Sequence, residues 1–309
     1  MCIIIALYKK NFLLRYDKDE AIPYASCADY NGLICDQGSF CNSDDVNIEY
    51  FYYYYDGYYQ DKLLLFCPGL GPGHTAYLAE IERLCRAGYR VLTLDYTGCG
   101  TSGGDRLPSI NAPTRDVVEL IGYLHPSERI IPIGHSMGGY TVLNLCNLTP
   151  SFDRAVILSG FVDIYSEMMG FLKSRMLAER IGLYERKWNK LYGTLDNRAY
   201  LATTTNKLLW FHSTDDPMVN YACNAGQVIE LHNLNVHIVT VEGKKHNPQY
   251  TQEALVRMNS WIGEYNRLVK SKQLATLEAR KAYFADKPVA MMTEQDPTVY
   301  AEILRFIEE

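Results

Sequence analysis

From residue 63 the chain alternates short apolar runs with amphipathic stretches. "LLLFC" is continuously apolar, as expected of a strand covered on both faces. "AYLAEIERLCRAG" follows with helical spacing and stops at Gly88, which suits a helix C-terminus. Next come "VLTLDY", the helix-like "APTRDVVELIGYL", "IIPI", the helix-like "GYTVLNLC" and "AVILSG". After a longer interval the same rhythm resumes with "KLLWFHS", "ACNAGQVIELH" and "VHIVTVEG". Strands alternating with helices predict an α/β fold, a mostly parallel sheet with helices on both faces.

Three regions depart from this rhythm. Before residue 60, "IEYFYYYYDGYY" places β-favouring tyrosines ahead of Asp56-Gly57, a hairpin signal, and predicts an antiparallel edge. Residues 161–206 read as several helices, an insertion rich in Met168, Met169, Phe171, Met176, Tyr184 and Trp188. Most of these are expected to pack within a cap and a minority to line an apolar pocket. After residue 271 the chain is helical in tendency, and Asp296-Pro297 opens a last helix with Asp as N-cap and Pro at N1. Its Val299, Ile303, Leu304 and Phe306 predict docking on the body, with a homodimer contact as the alternative. The expected division is a core over 1–160 and 207–271, a helical cap over 161–206 and a helical extension over 272–309.

Composition narrows the function classes. A chain of 309 residues with 48% hydrophobic content can bury a core. The formal charge of −6 and the lack of a Lys/Arg-rich run argue against a nucleic-acid surface, including base stacking on the tyrosines. Nine scattered cysteines without a C-x-x-C suit reduced thiols, so a Cys35–Cys41 bridge is not expected. "MCIIIALYKK" has the wrong order for a secretory signal, and no run approaches the ~18 apolar residues of a membrane span. The expectation is a cytoplasmic protein with no membrane span.

The chemistry centres on "IIPIGHSMGGYTVLNLC". A Gly-x-Ser-x-Gly between a buried strand and a helix predicts a tight strand–helix turn that lifts Ser136 clear of the sheet. Gly134 and Gly138 relieve crowding there, and the next helix aims its first amides at the same place. A serine hydroxyl needs a base. Among seven histidines, His135 is expected to point away from the serine. His74 lies in an earlier loop, His125 and His232 fall near helix ends, His237 lies within a strand and His212 ends one. His246, in "KKHN" just past the last strand, sits where loops of a parallel sheet meet ligands. Its carboxylate partner comes from "WFHSTDDPMV": Asp216 is preferred and Asp215 is the alternative. The chain order Ser…Asp…His fits. Oxyanion donors are expected from the Met137 amide and from "CPGLGPGH", with Leu70 N–H preferred over Gly71. That glycine-rich loop lacks the Gly-Lys-Ser/Thr ending of a phosphate-binding loop.

Taken together, these motifs resemble the α/β-hydrolase family over roughly residues 47–268. "GHSMGG" looks like its elbow, "DYTGCGTSGG" like its Asp-x-x-Gly-x-Gly-x-Ser turn, "HSTDDPMV" like its acid loop and "EGKKH" like its Gly-x-x-His end. The loop often written His-Gly-x-x is Cys-Pro-Gly-Leu here. The chain is similar to serine esterases, monoacylglycerol-lipase-like enzymes and proline-iminopeptidase-like peptidases. The resemblance implies hydrolysis of a small-molecule acyl substrate with no cofactor and no metal. A carboxylic ester leads, because no obvious acidic pair in the cap marks recognition of a peptide amino terminus. Thioester or peptide cleavage, or a binding protein with an idle serine, are the other readings.

Overall fold

The computed structural model describes residues 2–149 and 151–309. Eight strands form one sheet: β1 (Ile34–Cys41), β2 (Asn47–Tyr54), β3 (Lys62–Cys67), β4 (Arg90–Leu94), β5 (Arg129–His135), β6 (Arg154–Leu158), β7 (Lys207–Ser213) and β8 (Val236–Val241). Their spatial order is β1-β2-β4-β3-β5-β6-β7-β8. β2 pairs antiparallel with both β1 and β4, while every pairing from β4 across to β8 is parallel. This is the α/β-hydrolase fold.

Helix α1 (Cys2–Phe12) precedes β1, and α2 (Leu78–Arg86), α3 (Ala112–Leu124) and α4 (Met137–Leu148) lie between strands. α5 (Ile164–Leu172), α6 (Arg175–Trp188), α7 (Lys190–Gly193) and α8 (Asn197–Thr203) all lie between β6 and β7. The short α9 (Ala225–Ile229) precedes β8, and α10 (Gln252–Lys270), α11 (Leu277–Tyr283) and α12 (Pro297–Glu308) follow it.

The unbroken apolar run of β3 divides by alternation. Leu63, Leu65 and Cys67 enter one core with α3 and α4, whereas Leu64 and Phe66 enter the other with α2. A strand with two buried faces has no polar alternate positions, which is why this one reads as a solid apolar block.

The antiparallel edge is present, but the Asp56-Gly57 turn is not its hairpin. β2 does not pair with β3, because β4 lies between them. The hairpin joins β1 to β2 through residues 42–46. There Asn42 Oδ1 accepts from the amides of Asp44 and Val46, and Asp45 takes a left-handed φ of 56°. Strand insertion, a long-range event, decides which turn closes the pair. Cys35 and Cys41 are both free, on one strand.

The last helix is built into the molecule. Asp296 caps α12 through the amides of Thr298 and Val299, as its sequence predicts. Val299, Tyr300, Ile303 and Ile307 are buried in the same core as Phe66 and Ile81. The apolar face considered for a dimer contact is therefore covered by the chain's own sheet, and α12 functions as a sheet-covering layer rather than an appendage. α10 and α11 meet instead in a satellite cluster around Ala21, Tyr265, Phe284 and Met292. Among the described residues no helix is long and apolar enough to cross a membrane.

One buried carboxyl ties α2 to the segment that follows β8. Glu80 Oε1 accepts from Tyr250 Oη at 2.5 Å and from Gln249 Nε2 at 3.2 Å, while Oε2 has no partner. Burial pushes its pKa up to about 7, the two hydrogen bonds offsetting only part of that cost. A raised carboxyl favours folding while protonated, and this contribution is lost as pH rises from the unfolded value through 7. Glu80→Gln, which carries no charge to desolvate, should therefore stabilise the fold by about 2 kcal/mol more at pH 8 than at pH 5. Urea midpoints at the two pH values check this. Equal shifts at both would show that Glu80 ionises freely in the folded state.

Candidate active site

Ser136 stands between β5 and α4 with φ 56° and ψ −120°. A non-glycine residue held there stores roughly 1–3 kcal/mol of strain, which the flanking glycines make tolerable. A Cβ on Gly134 would lie 2.3 Å from the Gly138 carbonyl oxygen. A Cβ on Gly138 would lie 1.9 Å from the Cys67 carbonyl oxygen. Gly134 thus clears the turn itself, and Gly138 clears the end of β3.

The 68–74 loop closes over this elbow. A Cβ built on Gly69 would sit 3.3 Å from Ser136 Cβ, so the two segments are in contact. Leu70 and Met137 both line the cavity that Ser136 lines. The Met137 amide opens α4, where no intrahelical acceptor exists. Among the described residues neither it nor the Leu70 amide donates to a backbone carbonyl.

Asp95, the acid of "DYTGCGTSGG", shapes the loop from behind. It accepts from the His74 amide at 2.7 Å, His74 Nδ1 at 2.8 Å and the Thr101 amide at 2.7 Å. Burial alone would raise its pKa, but these donors outweigh burial and hold it low. A Cβ on Gly73 or Gly100 would collide with this carboxylate. His74 is therefore a buried structural partner, away from the base position.

On the other side of the cavity, His246 Nδ1 lies 2.8 Å from Asp216 Oδ2 and 3.1 Å from Oδ1. Asp216 Oδ1 also accepts from the amides of Met218 and Val219, at 2.8 and 2.9 Å. Desolvation opposes ionisation, yet His212, His246 and the Val219 amide together hold the carboxyl well below the usual range. A carboxylate that only accepts fixes the proton of His246 on Nδ1 and leaves Nε2 bare, the tautomer a general base needs. Asp215 turns elsewhere: it accepts from Ser213 Oγ at 2.5 Å and pairs with Lys245 Nζ at 2.8 Å. The structure thus joins His246 to Asp216 and gives Asp215 the task of clamping the loop. Ser136 Oγ makes no protein hydrogen bond among the described residues, and Ser136 and His246 share the wall of one cavity of about 320 Å³. Such serine–histidine contacts are often long before substrate is bound.

His135 departs from expectation. Its ring does not point away but lines the cavity, 4.7 Å from the His246 ring centre to centre. Nε2 is 2.8 Å from the His246 carbonyl oxygen, so it carries the proton, and Nδ1 accepts from Tyr77 Oη at 2.9 Å. Burial, with His246 beside it, pushes its pKa down to about 3. His135 is therefore neutral and fixes the backbone of residue 246. β-strand alternation gives no warning of this, because the strained turn redirects the residue before it. Neither Tyr77 nor Glu167 was singled out by the sequence as a site residue, although both line the cavity. Ile164, Glu167, Met168 and Phe171 follow helical i, i+3, i+4, i+7 spacing and all line the cavity. Met176 of the same insertion is exposed.

The family model described as "Serine aminopeptidase, S33" matches residues 59–240. The chain belongs to this family of α/β-hydrolases. It is 29% identical over 112 residues to "Probable esterase PIR7A" of Oryza sativa, covering 35% of this chain and 43% of that protein. It is 30% identical over 134 residues to the sn-1-specific diacylglycerol lipase ABHD11 of Xenopus tropicalis, covering 41% of each. The chain thus spans less than half the length of these curated relatives. In fold it is similar to the Pyrococcus furiosus esterase Pf2001, with a TM-score of 0.56 at 17% identity over 84% of this chain and 98% of that one.

Proposed function

We propose that this chain is a serine hydrolase cleaving a carboxylic ester of a small molecule through Ser136, His246 and Asp216. His246 Nε2 takes the Ser136 proton as Oγ attacks the ester carbonyl. The amides of Met137 and Leu70 receive the developing oxyanion. Collapse expels the alcohol, which takes the proton from His246, and leaves an acyl-serine. Water, deprotonated by the same imidazole, then releases the acid and restores the serine. Each oxyanion donor of this kind is worth ~2.7–4 kcal/mol of barrier.

The observation that carries the reading is the 2.8 Å contact from His246 Nδ1 to a buried Asp216 carboxylate, on the cavity into which a strained Ser136 is turned. Two relatives whose printed names are esterase and lipase favour an ester over an amide or thioester. Segment 161–206 serves in this reading as a cap, because α5 supplies one wall of the cavity. Core residues 1–160 and 207–271 are completed by α12 from the terminal extension.

A fluorophosphonate probe tests this proposal. Labelling of the native chain that vanishes in Ser136→Ala supports it. Folded protein that takes no label would make this a binding protein on a hydrolase scaffold.

A further inference from the structure

Glu167 is out of keeping with its surroundings. It lies on the apolar face of α5 between Ile164 and Met168, and that face forms a wall of the cavity. Among the described lining residues it is the only carboxylate, and none is lysine or arginine. Its Oε2 is buried without a hydrogen-bond partner. An orphaned buried polar atom costs about 1–3 kcal/mol, and a leucine at this helical position would avoid that cost. A carboxyl kept on the wall of the cavity that holds Ser136, with one oxygen lacking any partner from the chain, is explained by a polar group that arrives with the substrate.

We propose that Glu167 is a specificity-determining group that hydrogen-bonds a hydroxyl carried on the substrate's carbon chain, so that hydroxy-substituted esters are preferred over plain alkyl esters. This rests on the ester-hydrolase reading of the same cavity. The lining residues Ile164, Met168 and Phe171 would take the methylenes around that hydroxyl. The choice of a neutral hydroxyl follows from the electrostatics. Burial pushes the Glu167 carboxyl up to about 8, with the Asp216 charge adding to the shift and the Asn224 side chain offsetting part of it. At neutral pH the group is mostly the uncharged acid, which both donates and accepts, and a hydroxyl has the same pair of capacities. An ammonium group would require two charges to be desolvated together, which at best breaks even.

The test is kcat/KM for matched p-nitrophenyl esters. One series has plain alkanoyl chains, a second carries a terminal hydroxyl and a third a terminal amine, over a range of chain lengths. The expected result is at least tenfold preference for the hydroxy ester at one chain length, carried mainly by KM. Glu167→Gln, which still donates and accepts, should keep that discrimination, and Glu167→Leu should abolish it in favour of the plain ester. Thermal melts confirm that both variants are folded. Equal rates for hydroxy and plain esters in a chain that labels with fluorophosphonate would overturn the assignment while leaving the hydrolase intact. Preference for the amine that Glu167→Gln destroys would also overturn it, by making the subsite a cation site. Absence of both labelling and hydrolysis would instead bring down the ester-hydrolase reading beneath it.

Discussion

Ser136→Ala is expected to lower ester turnover by on the order of 10⁶, with the fold unchanged. The size follows from the division of labour at the elbow. The hydroxyl is the atom that forms the acyl bond, so its removal ends covalent catalysis outright. What remains is the cavity and the two amides of Met137 and Leu70, which on their own leave about 10³–10⁴ over uncatalysed hydrolysis in comparable triads. Alanine keeps the Cβ that the backbone already tolerates at φ 56°, so the strain is no worse than in the native chain. Measured kcat on a p-nitrophenyl ester decides the matter. A purified alanine variant within tenfold of the native rate would remove Ser136 from the mechanism.

The scaffold was legible because its signals are local. Alternating strands and helices, two strand-flanking glycines and the cap residue Asp296 each act within a few positions, and each is found in the structure. The site was legible to the extent that it follows strand ends. Ser136, Asp216 and His246 each sit just past the C-terminal end of a parallel strand, where the fold gathers loops. What stayed hidden depends on contacts between distant segments. The pairing of β2 with β4 rather than β3 is set by strand insertion. The ring direction of His135 is set by a carbonyl 111 positions away. The role of α12 depends on which open face of the sheet it meets, which its amphipathic pattern does not name. Glu167 also stayed hidden: the insertion was read for its methionines and aromatics, and only the cavity shows that a carboxyl shares the α5 face with Ile164, Met168 and Phe171.

Asp216→Ala is expected to cost on the order of 10⁴ in kcat, and Asp215→Ala less than about tenfold. The two carboxylates are adjacent in sequence, so only geometry separates them. Asp216 is buried and spends its oxygens on His246 Nδ1 and on two amides of its own turn. Removing it leaves His246 without the acceptor that selects its tautomer and without the charge that steadies the imidazolium. Asp215 stands a third exposed at its side chain and holds Lys245 and Ser213. Its loss loosens the approach to His246 without touching the ring. Asp216→Asn sharpens the comparison, because the amide nearly preserves volume while removing the charge and changing the hydrogen-bonding pattern. It should resemble the alanine variant in kcat rather than the native chain, with KM little changed. If Asp215→Ala showed the larger loss, the loop would have to rearrange on substrate binding so that the second carboxylate takes over the imidazole.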